Sequence, residues 1–409
     1  MAKKVPAYCL HRASGKAVVR IGGRDHYLGQ HGTAESKRAY KRLISEWESS
    51  GRGTTFGLAK SQTTVAMLWA DYRAHCDAYY PPTANSEAVH TRKAFEFMAE
   101  YLDVPVREFG PRALKAVRDK MLEATGAHGK PLSRRYINRQ LDRIRRAFRW
   151  GVEEEMIEPN IYEALRAVAG LKLGRTTAPE PPKVTAVPDS VVDATLPHLT
   201  SVVASMVKLQ QLTGMRPGEV CSLTPSMIDT SSEVWVANIV AHKTAYRGAE
   251  RTVYIGPRAQ EILKPYLARE ADAHLFSPAE AEAERRAKLR AARVTPLSCG
   301  NSTGTNVLEK PTRQPGTRYT THSYGRSVGY GCAKQWPIPD GASREEAAAW
   351  RERWWWTPNQ LRHAAATRAR RDYGIEAAQV LLGHSEIAVT QVYAEKNLEA
   401  GKRIALQIG

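Results

Sequence analysis

The sequence lacks any long apolar run. No stretch of its 409 residues approaches the roughly 18 consecutive apolar side chains that a membrane-spanning helix requires. Its first residues, MAKKVPAYCLHRASGK, also lack the apolar core of a secretory signal. We therefore expect a soluble, cytoplasmic protein with no membrane partner.

Cysteine is scarce and irregularly placed. The five cysteines are odd in number and widely spaced, with no CxxC or Cys/His ligand spacing. Disulfide frameworks and zinc sites depend on such spacings, so neither is predicted. The glycine-rich loop that cradles phosphates in nucleotide-driven enzymes is also absent.

Acidic side chains are in deficit. The chain has 42 acidic against 60 basic residues, which gives a net charge of +18 at pH 7. An excess spread through the whole chain indicates either a solvated cationic surface or a polyanionic partner. We favour the second interpretation, with nucleic acid as the partner.

Two segments with the composition of linkers divide the chain. Residues 51–63 are rich in Gly, Ser and Thr, and residues 171–188 contain four prolines. The pattern predicts a multidomain, mainly α protein with small antiparallel β-sheets, in the α+β class. Its predicted parts are a module over 1–50, a helical domain over 64–170 and a larger domain over 189–409.

The N-terminal module alternates short apolar pieces with turns. Over residues 6–31 this spacing predicts three short antiparallel strands, followed by a basic helix from Ser36 to Trp47 that Thr33 caps. So small a module buries little surface. Contact with DNA and a purely structural role both remain open for it.

The most informative helix of the second domain is predicted from Ser133 to Glu155. Ile137, Leu141, Ile144 and Phe148 give it an apolar stripe at helical spacing. Before Glu153 this helix has seven arginines and only one acidic residue, Asp142, to offset them. We therefore favour a face that contacts phosphates over a face that is merely solvated. The predicted DNA contacts are Arg134, Arg135, Arg139, Arg143, Arg146 and Arg149.

The third domain carries several short motifs. Arg216 stands at a helix start behind a glycine-bearing turn, and strands at 234–241 and 251–255 flank Lys243 in a hairpin. Thr357-Pro358 begins a helix that carries Asn359, Arg362 and His363. Leu-Leu-Gly-His384 follows, and a lone Tyr393 stands nine residues later. Taken singly, each residue has a structural alternative, such as a pairing of Arg216 with Glu219.

Between the hairpin and Arg362 lies a long, less legible segment. A charged helix is predicted from Glu280 to Arg293, then a loop to Thr320, then helices at 322–335, which Thr321 caps, and at 342–356. The Trp354-Trp355-Trp356 run at the end of this segment is expected to pack rather than to bind a ligand.

In order along the chain, Arg216, Lys243, Arg362, His384 and Tyr393 resemble the catalytic set of the tyrosine recombinases, the phage integrase family. The matching segments are TGMRPGEV, HKTAYRGAERTVYI, NQLRHAAAT and LLGHSEIAVTQVY. The resemblance extends from residue 64 to near residue 400 and implies a helical core DNA-binding domain followed by a catalytic domain. The 1–50 module is similar to the arm-type DNA-binding domains of some integrases.

The resemblance implies an enzyme that breaks and rejoins DNA through a tyrosine. Tyr393 would attack phosphorus and form a 3′-phosphotyrosyl bond, while Arg216 and Arg362 grip the non-bridging oxygens. Lys243 would protonate the leaving 5′-oxygen, and His384 would donate a hydrogen bond to the phosphate. Because the covalent link conserves the phosphodiester energy, no cofactor and no metal are required.

One site residue departs from the family pattern. The family usually has a histidine, a candidate base, three residues before its second arginine, and this chain has Asn359 there. Asparagine hydrogen-bonds but takes no proton at neutral pH. His363 lies about 100° around the helix from Arg362, so we expect a structural role for it. The base is therefore unassigned. A second departure is an insertion near residues 277–320.

The family acts as a tetramer on two DNA sites, in some cases with accessory DNA-bending proteins. We expect the same partners here, with the segment 395–408 as a candidate for docking on a neighbouring subunit. Two other functions stay open. One is a type IB topoisomerase-like enzyme that relaxes DNA, and the other is a non-catalytic DNA-binding relic of the family.

Overall fold

The structure is a computed structural model that describes residues 5–49, 52, 56, 62–126, 129–239, 251–296, 315–383 and 390–391. The chain divides into two compact units, Met1–Pro182 and Lys183–Gly409. The division falls within the proline-rich segment 171–188. The predicted class, mainly helical with small antiparallel sheets, is confirmed.

The first unit begins with a three-stranded antiparallel sheet and one helix. Thr33 caps that helix, since its Oγ1 accepts a hydrogen bond from the Ser36 amide at 3.1 Å. Inward-facing Val19 and Ile21 of the middle strand pack on the helix residues Ile44 and Trp47. The elements are β1 (Cys9–His11), β2 (Lys16–Ile21), β3 (Arg24–Gln30) and α1 (Ala34–Ser49).

In the described part of the first unit, five further α-helices pack around a core of their own. The apolar stripe of the longest helix is fully buried in that core. The helix that begins at Glu87 is capped by Ser86 and ends at Glu96. The helices are α2 (Val65–Tyr79), α3 (Glu87–Glu96), α4 (Pro111–Glu123), α5 (Arg134–Glu153) and α6 (Pro159–Arg166).

The start of the proline-rich segment folds back on α5. The Asn138 side chain exchanges two hydrogen bonds with the backbone of Leu171, at 2.8 and 3.1 Å. The Arg134 amide donates to the Pro179 carbonyl at 3.1 Å. These contacts explain why the first compact unit continues to Pro182 instead of ending near residue 170.

The second unit packs helices and a small sheet around one apolar core. Its antiparallel sheet has the order β4-β5-β6, and the two-residue strand β4 was not predicted. The elements are α7 (Asp189–Thr195), α8 (Ser201–Thr213), α9 (Pro217–Ser222), β4 (Ile228–Asp229), β5 (Trp235–Asn238), β6 (Thr252–Ile255), α10 (Pro257–Leu267), α11 (Pro278–Ala291), α12 (Thr321–Gln335), α13 (Arg344–Trp354), α14 (Pro358–Tyr373) and α15 (Ile375–Leu382).

In the segment between the hairpin and Arg362, one helix cap differs from the sequence prediction, while the tryptophans pack as expected. Thr320, not Thr321, caps α12, because Thr320 and Ser323 form a reciprocal capping box. The tryptophans pack on one another: Trp336 and Trp354 stack with their ring centroids 5.6 Å apart. Trp356 is buried, and its Nε1 donates to Thr195 Oγ1 at 3.1 Å. Residues 297–314 lie outside the described part of the chain.

Within the described ranges, no helix combines the length and the apolarity that crossing a bilayer would require. The same residues hold no group of three or more His, Cys, Asp or Glu arranged to bind a metal ion.

Candidate functional site

The turn before Arg216 is fixed by the end of α8. Gly214 adopts the left-handed conformation (φ 65°) that ends the helix, and a Cβ there would come within 3.3 Å of Leu382 and 3.5 Å of Ala365. A glycine is therefore favoured by the backbone angle, and the contacts show that α14 and α15 approach this turn closely. The TGMR turn is packed directly against the helix of Arg362.

Gln210 joins this turn to the start of α14. Its Nε2 donates to the carbonyls of Met215 and Pro358, both at 2.9 Å. Its Oε1 accepts from the Tyr324 hydroxyl at 3.1 Å. Since Gln210 is fully buried, these bonds satisfy a polar side chain that would otherwise be costly to enclose.

Arg362 is a second connection between the motifs. Its Nη1 donates to the Gly214 carbonyl at 2.7 Å and its Nη2 to the Leu382 carbonyl at 2.8 Å. The side chain is fully buried. The TGMR turn, the helix α14 and the Leu-Leu-Gly turn thus meet at one guanidinium. Sequence alone predicted only a phosphate contact for this residue, and the structure adds this backbone role.

Arg216 caps α9 and is held by Glu219. The Arg216 amide donates to Glu219 Oε2 at 2.8 Å, and its Nη1 donates to Oε1 at 2.7 Å. Arg216 therefore pairs with Glu219, which is the structural alternative that the sequence offered. Its side chain nevertheless remains 32% exposed, while Glu219 is buried.

Arg251, just before β6, shares the same carboxylate. Its Nε lies 3.4 Å from Glu219 Oε1, and its Nη1 donates to the Thr252 carbonyl at 3.0 Å. Burial raises the pKa of Glu219, but the charge of Arg251 and the hydrogen bonds and charge of Arg216 outweigh it, and the pKa lies below its ordinary value. Glu219 is thus an ionised carboxylate between two guanidinium groups.

The structure places the predicted site residues unevenly. Asn359 is half-buried in the first turn of α14, one helical turn before Arg362, and His363 is buried, as a structural role requires. Lys243, His384 and Tyr393 lie outside the described residues, as do the hairpin tip and the segment 395–408. Gln210 and Arg251 were missed, because Gln210 belongs to no recognisable motif and Arg251, although it lies in the hairpin segment HKTAYRGAERTVYI, was given no role there.

The arginines of α5 divide into buried and exposed groups. Arg143 is buried and binds both oxygens of Glu87, through Nε at 2.8 Å and Nη2 at 2.9 Å. Arg146 donates to the same carboxylate at 2.9 Å. The reading that only Asp142 offsets these arginines was wrong, because Glu87 comes from another helix, α3. Arg143 joins α3 to α5 and is not placed to contact DNA.

Arg134 is likewise occupied. It binds both Glu180 and the Leu171 carbonyl and is only partly exposed. Arg135, Arg139 and Arg149 are exposed. Arg149 pairs with Glu153 at 3.0 Å in an open surface position, where such pairs contribute little. The predicted DNA contact therefore rests on these three exposed arginines.

Comparisons with known proteins bear on the fold. No protein-family model matches the sequence, and a search of curated proteins finds no match either. Among solved structures, the chain is similar to the Tn1549 transposon integrase in complex with a circular intermediate DNA. That match has a TM-score of 0.55 and 16% identity, and it covers 85% of this chain and 99% of the other.

The chain is also similar to a lambda integrase dimer bound to a COC′ core site. The TM-score is 0.51 with 14% identity, and 97% of this chain and 96% of the other are covered. Likeness at such identity defines the fold and no more. The chain has the fold of these integrases, and the resemblance that its motifs indicate is confirmed at the level of the fold.

Proposed function

We propose that this chain is a site-specific DNA recombinase of the integrase type, which cuts and rejoins DNA through a 3′-phosphotyrosyl intermediate. One observation carries the proposal. Gly214, next to the Arg216 turn, and Leu382, next to the Gly383-His384 pair, both accept hydrogen bonds from the single buried side chain of Arg362. Motifs well over a hundred residues apart in sequence therefore meet at one point, in a fold similar to that of DNA-bound integrases.

The chemistry assigned to the site balances without a cofactor. The Tyr393 hydroxyl releases its proton to solvent water, since no side chain is assigned as its base, and its oxygen forms a bond to phosphorus as the bond from phosphorus to the 5′-oxygen breaks. Lys243 supplies the proton that the leaving oxygen takes up, and His384 donates a hydrogen bond to the phosphate. Arg216 and Arg362 stabilise the charge on the non-bridging oxygens, the main task in phosphoryl transfer. Rejoining reverses these steps with a 5′-hydroxyl from a partner strand.

Asn359 takes the place of the base that the family pattern would supply. General-base assistance typically contributes about 10²–10⁴ in rate, so its absence slows but does not abolish transfer. We assign Asn359 a hydrogen-bonding role toward the phosphate or an ordered water.

We assign the helical part of the first unit, residues 64–170, to duplex binding, and residues 189–409 to catalysis. Exposed Arg135, Arg139 and Arg149 support the first assignment, since cations on the outer face of a helix can reach the phosphates of a duplex. The basic 1–50 module is proposed as an arm-type DNA-binding module. A tetramer on two DNA sites completes the assembly, with accessory DNA-bending proteins as further partners.

The experiment that tests this function separates it from its alternatives. DNA selected by the protein from a randomised pool is placed twice in one supercoiled plasmid, which is then incubated with the protein. A recombinase yields joined products with exchanged flanks, and a topoisomerase-like enzyme yields only relaxed plasmid. Binding without any strand breakage would identify a non-catalytic relic and refute the proposal.

A further inference from the structure

Arg251 is the least expected charged group near the candidate site. Its side chain is 3% exposed, although the family resemblance assigns it no role. In the part of the chain that the structure describes, its Nη2 is buried without a hydrogen-bond partner. A buried guanidinium with an unsatisfied nitrogen is costly, so its placement calls for a reason beyond packing.

Its position ties it to two of the site motifs. It contacts Glu219, the carboxylate that holds Arg216. On another side it lies against Gly383, the residue before His384, where an added Cβ would overlap the guanidinium and come 3.0 Å from its Cζ. Gly383 also has a positive φ of 61°. Only glycine suits that backbone angle and leaves room for Arg251.

The net charge of Arg216, Glu219 and Arg251 indicates what this arrangement does. Arg216 and Glu219 alone would form a neutral pair, so a phosphate near Arg216 would meet a cation whose charge is already balanced. With Arg251 the three groups carry a net charge of +1. Arg251 also occupies the same oxygen, Oε1, that Arg216 Nη1 uses, so Glu219 is not left to Arg216 alone.

We propose that Arg251 is a positioning residue of the site, which balances Glu219 so that the charge of Arg216 stays available to the scissile phosphate. This rests on the proposed function, because the site must act on a phosphate. Arg251 does not itself contact DNA in this assignment. It acts through the carboxylate of Glu219.

The test is the rate of covalent adduct formation on a nicked duplex at saturating concentration, with the DNA dissociation constant measured separately. The duplex carries the sequence that the protein selects from a randomised pool. Arg251→Met is expected to lower the rate at least about tenfold, as misplacement of a site group can, and to leave the dissociation constant within about twofold. Arg251→Lys, which keeps the charge, is expected to retain most of the rate.

A double-mutant cycle identifies the route of the effect. If Arg251 acts through the carboxylate of Glu219, Arg251→Met should cost less than about threefold in a Glu219→Gln background. An equal cost in both backgrounds would overturn the proposal. So would an Arg251→Lys protein that is folded, by its amide exchange, yet as slow as Arg251→Met.

Arg269→Met is the matched control. Arg269 is also largely buried and pairs with an acidic residue, Glu280, at 3.1 Å, but it contacts none of the site motifs among the described residues. We expect its rate to equal that of the wild type. If the wild type itself forms no adduct, the proposed function fails. If the wild type reacts and Arg251→Met reacts equally fast, only the role of Arg251 fails.

Discussion

The replacement Gln210→Leu tests how the candidate site is assembled. Leucine keeps much of the side-chain volume but removes both donors and the acceptor. The carbonyls of Met215 and Pro358 and the hydroxyl of Tyr324 then lose their partner in a fully buried position. Since each of the three unsatisfied buried groups costs about 1–3 kcal/mol, we expect the second unit to lose at least about 3 kcal/mol of stability. Tyr324→Phe removes only one of the three bonds and should cost about 1 kcal/mol.

The assay is hydrogen exchange of the full chain, read from peptides of α8 and α14. Slowly exchanging amides there report the free energy of opening for the unit that contains them. Gln211→Leu is the control, because Gln211 is only half-buried and the one described hydrogen bond of its side chain, to Asp189, is long at 3.4 Å. We expect it to cost less than about 0.5 kcal/mol. The reasoning is refuted if Gln210→Leu destabilises these helices no more than Gln211→Leu does.

Three further predictions concern other parts of the chain. Burial raises the pKa of Glu87, but Arg143 and Arg146 lower it further, so its folded pKa lies below its ordinary value. The stability that the ionised Glu87 carboxylate contributes is present above the ordinary pKa of a glutamate and is lost as the pH falls through the pKa in the folded protein. Glu87→Gln should therefore cost about 1–3 kcal/mol at neutral pH and flatten the acid limb of the first unit's stability, measured by urea unfolding from pH 3 to 7. An unchanged limb would contradict this. Arg139→Ala should lower the slope of log affinity against log salt by about 0.9, in DNA-binding titrations where exposed, ion-paired Arg166→Ala changes nothing; equal slopes would remove Arg139 from the interface. Asn359→His should keep or raise the cleavage rate, and complete loss of cleavage would give asparagine a specific role.

The sequence revealed what depends on local chemistry. Thr33 and Thr357 mark helix starts because an N-cap needs only its own side chain and the next few amides. The error of one residue at Thr320 arose because Thr321 offers the same hydroxyl. The partner that decides between them is Ser323, which bonds back to Thr320. Local signals therefore fixed the element types better than their ends.

Long-range partners were beyond the sequence pattern. Arg139 and Arg143 lie one turn apart on neighbouring positions of the same helix face, so the sequence does not distinguish them. In the structure Arg143 binds Glu87 on α3 and is buried, whereas Arg139 is exposed. In the sequence, Gln210 is one of several polar residues of α8, and nothing distinguishes it from the others. Its role appears when the fold brings Met215 and Pro358 to the same amide. The motifs indicated the candidate site residues, and the buried polar groups that hold the described motifs together became visible only in the structure.

The most direct measurement of the central claim is mass-spectrometric mapping of the covalent link to DNA. The protein is incubated with a nicked duplex bearing its selected sequence, digested with protease, and the DNA-bound peptide is sequenced. The account predicts a 3′-phosphate joined to Tyr393, and no adduct with Tyr393→Phe although its DNA affinity is unchanged. A link at another residue, or an intact protein that binds the duplex and never becomes attached to it, would contradict the account.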